Sequence, residues 1–290
     1  MSNINPTISS EWLAGQLSNP NLVIIDCRFR LGDPNWGYEQ YLINHIPGAY
    51  YLNLDQDLSA PVTTHGGRHP LPDPSTFAKK LESMGITLGE TLVIAYDDLR
   101  FAFAARLWWL LRYFGHEKVA VLDGGWTGWQ SNNYPLDSST PSLKSGNFLP
   151  QPHDHWLVDI EALKQRKDSA KVIVIDSRDG DRYEGKREPI DPIAGHIPGA
   201  VNSPWKDVSN QEGYIKPQPQ QRGLWANFEG SEEIILYCGS GVTACVNLLS
   251  LESVGIKGAK LYPGGWSDWC SYLGERSVSY THLTLPTKLS

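Results

Sequence analysis

The chain has 290 residues and a formal net charge of −7 at pH 7, and 40% of its residues are hydrophobic. This length exceeds that of most single domains, so two domains with sizeable cores are expected. The acidic balance, without a basic stripe, argues against nucleic acid as a partner. No apolar run is long enough to cross a bilayer, and the polar residues 1–10 lack the apolar segment of a signal peptide. We therefore expect a cytoplasmic protein without a membrane partner.

In chain order, short β-branched and aliphatic segments alternate with longer segments of helical periodicity. This alternation predicts an α/β fold in which a mainly parallel sheet is flanked by helices. Strands are predicted at 22–26, 92–96 and 119–122 in the first half, and at 172–176, 234–237 and 259–262 in the second half. Helices are predicted at 9–17, 74–84 and 101–114, and then near 158–166 and 242–254.

The two halves of the chain contain the same short segments in the same order. The second copy of each segment follows the first after roughly 140 to 150 residues, which indicates a duplicated domain rather than a short-period array. The matching pairs are 22–28 with 172–178, 45–49 with 196–200, and 124–129 with 264–269.

The domain boundaries follow from the repeat and from the composition. Residues 1–134 form the first predicted domain and residues 156–275 the second. Residues 135–155 are rich in serine and proline and predict an extended linker with little core, and the proline-rich stretch 215–222 is predicted to be an ordered loop. Residues 276–290 look like a frameshifted or cloning-derived end, so we expect this tail to be non-native or disordered.

A cysteine follows directly on the strand predicted at 234–237. It is Cys238, and the loop Gly239-Ser240-Gly241-Val242-Thr243 separates it from the next helix. Ligands of open parallel sheets bind beyond the carboxyl ends of the strands. Successive N–H groups in such a loop can point inwards as a nest, and the helix N-terminus adds partial positive charge. Both effects favour a thiolate, so Cys238 is predicted to be a low-pKa nucleophile rather than a buried structural cysteine.

Two kinds of chemistry suit a thiolate in a loop of this length. A phosphatase of the Cys-x5-Arg type needs an arginine at position 244 to bind phosphate, but this residue is Ala244. Sulfur transfer remains, in which the thiolate takes a sulfane sulfur and carries it as a persulfide whose charge the amides stabilise. The four cysteines include no Cys-x2-Cys pair, so no metal and no cofactor are expected.

The segment from Cys238 to Ala244 resembles the active-site loop of the two-domain rhodanese family, in its mercaptopyruvate sulfurtransferase form. The similarity extends from about residue 8 to about residue 273. It implies two tandem rhodanese-like domains with the active site in the cleft between them. It also implies a double displacement, in which Cys238 takes sulfur from 3-mercaptopyruvate and passes it to cyanide, a small thiol or a reduced thioredoxin.

The resemblance implies roles for residues far from the loop as well. A charge relay proposed for the family corresponds here to Ser240, His69 and Asp55, which would orient the donor or protonate the product. His65 and Arg68, in the same loop as His69, are weaker candidates.

Donor binding is assigned by the same resemblance. An arginine in an Arg-Tyr context binds the anionic end of the donor in the family, and Arg182 matches it. The rest of the predicted substrate-binding set comes from the cysteine loop: Gly239, Gly241, Val242 and Thr243.

Mercaptopyruvate-specific members carry a second arginine shortly before the Gly-His-Ile-Pro-Gly turn. Here Pro189 or Ile190 stands at the corresponding place, and Arg187 lies close by in the sequence. We expect Arg187 to bind the donor instead. The mismatch leaves thiosulfate open as the alternative donor, and a non-catalytic sulfur carrier or interaction module remains the alternative to an enzyme.

The first copy of the repeat has no cysteine at the position of the nucleophile. When the third predicted strands are aligned, Asp97 stands opposite Cys238. A carboxylate is well stabilised at a helix N-terminus but cannot carry sulfane sulfur. The first domain is therefore predicted to be catalytically inactive.

Overall fold

The structure, a computed structural model, describes residues 4–228 and 230–276. Its first half contains a parallel sheet with the strand order β1-β5-β4-β2-β3. These strands are β1 (Thr7–Ile8), β2 (Leu22–Asp26), β3 (Tyr50–Tyr51), β4 (Leu92–Tyr96) and β5 (Val119–Leu122). The longer strands are apolar and almost entirely buried, as expected for strands covered on both faces. All three strands predicted for this half are confirmed.

The second half repeats the same plan with a parallel sheet in the order β7-β6-β8-β9. Its strands are β6 (Val172–Asp176), β7 (Val201–Asn202), β8 (Glu233–Tyr237) and β9 (Lys260–Leu261). The three strands predicted here are confirmed with small differences at their ends. The sequence missed β1, β3 and β7, because strands of two residues are too short to show a periodicity.

Helices connect the strands in both halves. Those predicted from the sequence are α1 (Ser10–Ala14), α3 (Pro74–Glu82), α4 (Ala104–Tyr113), α6 (Ile160–Arg166) and α9 (Ala244–Ser253). Those not predicted are α2 (Trp36–Ile43), α5 (Gly125–Ser131), α7 (Gly180–Tyr183), α8 (Gln218–Trp225) and α10 (Gly265–Arg276). The prediction of a loop at 215–222 is wrong, because Pro219 lies in the first turn of α8, where its missing N–H costs no hydrogen bond.

The two domains share one continuous hydrophobic core, which includes side chains of both sheets. At its centre α4 packs against α9, and every residue of α4 except Arg112 is buried. Residues 135–155 connect the domains, and Asp137 pairs with His45 through two main-chain hydrogen bonds of 2.8 and 2.9 Å. Contrary to the expectation of little core, Phe148 of this linker is buried. This packing fixes the loops of one domain against those of the other.

Two predictions from the sequence concern the ends and the membrane. The tail predicted at 276–290 lies, except for Arg276, outside the described residues. Within residues 4–228 and 230–276, no helix combines the length and the apolar character that a membrane span needs.

Candidate active site

Cys238 lies at the carboxyl end of β8, which is an inner strand of the second sheet. Its main-chain oxygen accepts a hydrogen bond of 2.8 Å from the N–H of Trp266, so the start of the loop is tied to α10. The side chain is 2% exposed and lines a cavity of about 170 Å³ between the two domains. The structure therefore places the predicted nucleophile in the interdomain cleft.

The loop after Cys238 is shaped by its glycines. Gly241 has a φ of +72°, and a Cβ on it would lie 2.3 Å from the carbonyl oxygen of Pro263, so no other residue fits. Gly239, Ser240, Val242 and Thr243 line the cavity. No atom of the described residues accepts a hydrogen bond from the main-chain N–H groups of residues 239–244. These amides, at the N-terminus of α9, form a cradle of N–H groups that is suited to an anion.

Ser240 and His69 meet across the domain interface. The Oγ of Ser240 lies 2.7 Å from the Nδ1 of His69, and the Nε2 of His69 lies 3.3 Å from the Oδ1 of Asp55. Both Ser240 and His69 are buried, whereas the Asp55 side chain is about half exposed. The structure thus brings the three predicted relay residues into one row that ends in the cysteine loop.

His69 is held in its neutral form. Burial, together with the positive charges of Arg106 and Arg68, lowers its pKa to about 3. Because the carboxylate of Asp55 lies at Nε2, the tautomer with a proton on Nε2 is favoured. The Nδ1 atom is then free to accept the hydroxyl proton of Ser240, so His69 orients this hydroxyl as a neutral acceptor.

Arg106 of α4 is a residue of the site that the sequence reasoning missed. Its guanidinium is completely buried and donates to the main-chain oxygens of Gly241, at 3.1 Å, and His69, at 3.2 Å. It therefore joins the cysteine loop to the histidine loop. A signal was available, because Arg106 is a charged residue within the otherwise apolar run Ala104 to Trp109.

Three arginines from the two domains line the cavity. Arg182 of α7 does so, as the sequence predicted, and Arg68 of the first domain does so as well. The third is Arg178, whose guanidinium binds Asp176 and Glu188. Arg187 lies outside the lining and pairs with Asp181 on the surface, with 2.5 Å between Nε and Oδ2. Ile190, one of the two residues at the position of the family's second arginine, does line the cavity. The structure thus separates Arg187 from the other predicted site residues.

The first domain contains the positional equivalent of the cysteine. Asp97 follows β4 as Cys238 follows β8, and its main-chain oxygen accepts a 2.8 Å hydrogen bond from Trp126, the counterpart of Trp266. The Asp97 carboxylate accepts four hydrogen bonds of 2.8 to 3.1 Å from main-chain N–H groups of residues 99, 101, 103 and 104. Burial nevertheless raises the pKa of Asp97, and the four amides act against this shift.

Fold and site together define a class of protein with two tandem α/β domains, one of which presents a cysteine at the end of an inner strand. In the described part of the chain, no three His, Cys, Asp or Glu side chains are grouped so as to hold a metal ion. A cysteine in an amide cradle is suited to accept and donate a group by nucleophilic attack.

The model of the rhodanese-like domain matches this chain twice, at residues 9–132 and 159–272. The chain belongs to the rhodanese family. The fold and the family predicted from the sequence are confirmed.

The relatives agree with this assignment over nearly the whole length. A protein of Pseudomonas aeruginosa named probable 3-mercaptopyruvate sulfurtransferase is 42% identical over 267 residues, which cover 90% of this chain and 94% of the relative. A putative thiosulfate sulfurtransferase, SseB of Mycobacterium tuberculosis, is 34% identical, and the alignment covers 91% of this chain and 93% of the relative. The crystal structure of the 3-mercaptopyruvate sulfurtransferase SseA from Escherichia coli has a TM-score of 0.80 and 33% identity, and covers 91% of this chain and 100% of SseA.

Proposed function

We propose that the protein is a sulfurtransferase that moves sulfur from 3-mercaptopyruvate to a thiol or cyanide acceptor through a persulfide on Cys238. The observation that carries this proposal is that Cys238 lines the interdomain cavity and that its loop contains unpaired amides. The six main-chain N–H groups after Cys238 have no acceptor in the described part of the protein. The names of the relatives from P. aeruginosa and E. coli support the choice of donor.

In the first half-reaction, the Cys238 thiolate attacks the sulfur of the donor. An S–S bond forms, the C–S bond of the donor breaks, and its electron pair leaves as the enolate of pyruvate. The enolate takes up the proton that the donor thiol brought, so that pyruvate and a Cys238 persulfide anion result. The amides of residues 239–244 and the N-terminus of α9 stabilise this anion, because they present positive dipoles to a site with little water.

Ser240 is proposed to orient the thiol of the donor. Its hydroxyl donates to the Nδ1 of neutral His69, so its oxygen can accept a hydrogen bond from the donor thiol in the cavity that Ser240 and Cys238 both line. His69 with a pKa of about 3 is a weak base at neutral pH, so we assign it and Asp55 to the orientation of Ser240 rather than to proton abstraction.

In the second half-reaction, a nucleophilic acceptor attacks the outer sulfur of the persulfide and restores the Cys238 thiolate. We propose cyanide, a small thiol or a reduced thioredoxin for this role, and no cofactor takes part. A thiol nucleophile works only while it is reduced, so we propose the cytoplasm as its location. The first domain, with Asp97 at the equivalent position, contributes to binding but not to the transfer itself.

Intact mass after incubation with each donor tests the proposal. With 3-mercaptopyruvate, the protein is expected to gain about 32 Da, one sulfur atom, and the Cys238→Ser variant to gain nothing. A Cys238→Ser variant that still transfers sulfur would show that another residue is the nucleophile. Thiosulfate is the competing donor, because one relative is named for it. A higher kcat/KM for thiosulfate than for 3-mercaptopyruvate would replace the donor but keep the mechanism.

A further inference from the structure

Two guanidinium groups, one from each domain, converge on the residue that follows Cys238. A Cβ placed on Gly239 would lie 2.9 Å from Nη2 of Arg68 and 3.8 Å from Nη1 of Arg182. Both arginines line the same cavity as Cys238. Arg68 belongs to the loop of the first domain that also contains His69.

Nη2 of Arg68 and Nη1 of Arg182 have no acceptor within the described residues, whereas Nη2 of Arg182, also 3.8 Å from a Cβ placed on Gly239, binds Glu188 and Asp191. Arg68 uses Nη1 to bind Oδ1 of Asp191, and Arg182 uses Nε and Nη2 to bind Glu188 and Oδ2 of Asp191. Among residues 4–228 and 230–276, no atom accepts a hydrogen bond from Nη2 of Arg68 or Nη1 of Arg182. An arginine whose remaining N–H groups point into a cavity is suited to bind an anion there.

Asp191 holds the two arginines in this arrangement. Its side chain is almost completely buried and bridges them, with one carboxylate oxygen on each. A single buried carboxylate thus fixes a cation of the first domain relative to a cation of the second. The free edges of the two guanidinium groups are therefore preorganised, which lowers the entropic cost of binding a small anion.

The segment 187–190, in which a second donor-binding arginine is expected from the sequence, supplies no cation to the cavity. Pro189 and Ile190 have no charge, and Arg187 lies outside the lining of the cavity. Two other cations of the second domain line the cavity, but Arg178 binds Asp176 and Glu188, and Lys206 binds Asp179. Arg68 of the first domain also lines it, and its Nη2 has no acceptor among the described residues.

We propose that Arg68 is the second donor-binding arginine of this protein and that it binds the donor carboxylate together with Arg182. This inference rests on the proposed function, because it assigns a binding group for the same donor. It follows that the donor site is complete only where the two domains meet, and that the sequence of the second domain alone cannot reveal it.

Substitution of Arg68 with two matched donors tests this assignment. In Arg68→Gln, kcat/KM for 3-mercaptopyruvate should fall by about 10- to 100-fold, mainly through KM, because one charged hydrogen-bonding group is lost. For 1-mercaptopropan-2-one, which keeps the thiol and the carbonyl but lacks the carboxylate, kcat/KM should change by less than about threefold. Arg68→Lys should recover part of the loss, since it keeps the charge but not the planar fork.

Three controls separate binding from structure. Arg222→Gln removes an exposed arginine of α8 and should leave both donors unaffected. The inhibition constant of 3-mercaptopropionate, which has the carboxylate but no carbonyl, should rise in Arg68→Gln by the same factor as KM. Thermal unfolding then reports whether the loss of the contact with Asp191 has loosened the interface.

The outcomes distinguish this assignment from the proposed function. An equal loss with both donors and an unchanged inhibition constant would mean that Arg68 only supports the interface, and an unchanged KM would exclude it from the site. In either case, the mass gain on Cys238 would still hold. If the wild-type protein gained no sulfur from 3-mercaptopyruvate, the proposed function itself would fail, whatever the inhibition constants were.

Discussion

The cysteine loop of the second domain and the aspartate loop of the first differ in what can accept hydrogen bonds from their main-chain N–H groups. Both follow an inner parallel strand and both lead into a buried helix, so both gather main-chain N–H groups at one point. In the first domain the Asp97 carboxylate accepts four of these N–H groups. In the second domain the N–H groups of residues 239–244 have no acceptor in the described part of the protein.

The backbones of the two loops differ in a way that fits this contrast. The first loop has one more residue before its helix, and Arg100 and Phe101 adopt positive φ angles of 54° and 75°. Non-glycine residues rarely do so, and here the hydrogen bonds to Asp97 compensate for the strain. In the cysteine loop, glycine takes the positive φ at position 241. The N–H groups of the first loop therefore bind the loop's own Asp97 side chain, whereas those of the second loop are available to an external anion or to a persulfide on Cys238.

The largest expected effect comes from replacing Cys238 by aspartate, the residue at the equivalent position of the first loop. Cys238→Asp should lower sulfur transfer by at least about 10⁴-fold, since a carboxylate cannot carry sulfane sulfur. The free energy of unfolding of Cys238→Asp should nevertheless be about 1 kcal/mol higher than that of Cys238→Ser. The reason is that a carboxylate can accept hydrogen bonds from the main-chain N–H groups at the start of α9. Chemical denaturation of both variants measures this difference. A Cys238→Asp protein less stable than Cys238→Ser would contradict the view of the loop as an anion cradle.

The reverse change removes the charge from the first loop. Asp97→Asn keeps one acceptor atom but turns an NH₂ group towards two main-chain donors, and should lower the free energy of unfolding by about 2 to 3 kcal/mol. The neighbouring Asp98→Asn is the control, because it removes the same charge outside these four hydrogen bonds. Denaturant titration compares them. Equal destabilisation by the two variants would show that the four hydrogen bonds contribute nothing specific.

Acid stability tests the neutral state of His69, which contacts the cysteine loop through Ser240. The pKa of His69 is about 3 in the folded protein but about 6.5 for an unperturbed histidine, so between these values the unfolded chain binds a proton that the folded protein does not. The free energy of unfolding should therefore fall as the pH is lowered from 6.5 towards 3, by up to about 1.4 kcal/mol per pH unit from this residue. His69→Asn should make this slope shallower, as measured by urea unfolding at several pH values.

His116 is the internal reference for this measurement. Burial also lowers its pKa, and it stays in the His69→Asn variant and contributes the remaining slope. An acid slope that is the same in His69→Asn and in the wild type would mean that His69 is protonated in the folded protein.

The smallest effect is expected at Arg187, which was predicted from the sequence as a substitute for the second donor-binding arginine. Arg187→Gln should change kcat/KM for 3-mercaptopyruvate by less than about twofold, because its side chain is half exposed and pairs with Asp181 on the surface. Steady-state kinetics beside Arg68→Gln make the comparison direct. A loss at Arg187 that equals the loss at Arg68 would restore the prediction made from the sequence.

Much of the fold could be predicted from the sequence because its signals are local. The apolar runs of β2, β4, β6 and β8 are short and bounded by polar residues, so their length and composition identify buried parallel strands. The repeat reveals two domains of one kind. The elements that were missed are three two-residue strands and five helices, of which α7 is short and α8 begins at a proline-rich stretch.

The residues of the candidate site also divide into those that the local sequence reveals and those that it does not. Cys238 and its loop are recognisable because the strand, the glycines and the helix that shape them are contiguous in the sequence. His69 and Asp55 could be named only through the family resemblance. His69 is 171 residues away from Ser240, and no periodicity connects two such positions.

The sequence by itself therefore determined the duplicated α/β unit, the strand that directly precedes Cys238 and the absence of this cysteine from the first copy. Only the tertiary structure decided that Arg68 and Arg106 approach the cysteine loop and that Arg187 stays outside it. The physical reason is that local patterns specify which face of each element is buried. The distance between side chains of two domains depends instead on how α4 packs against α9.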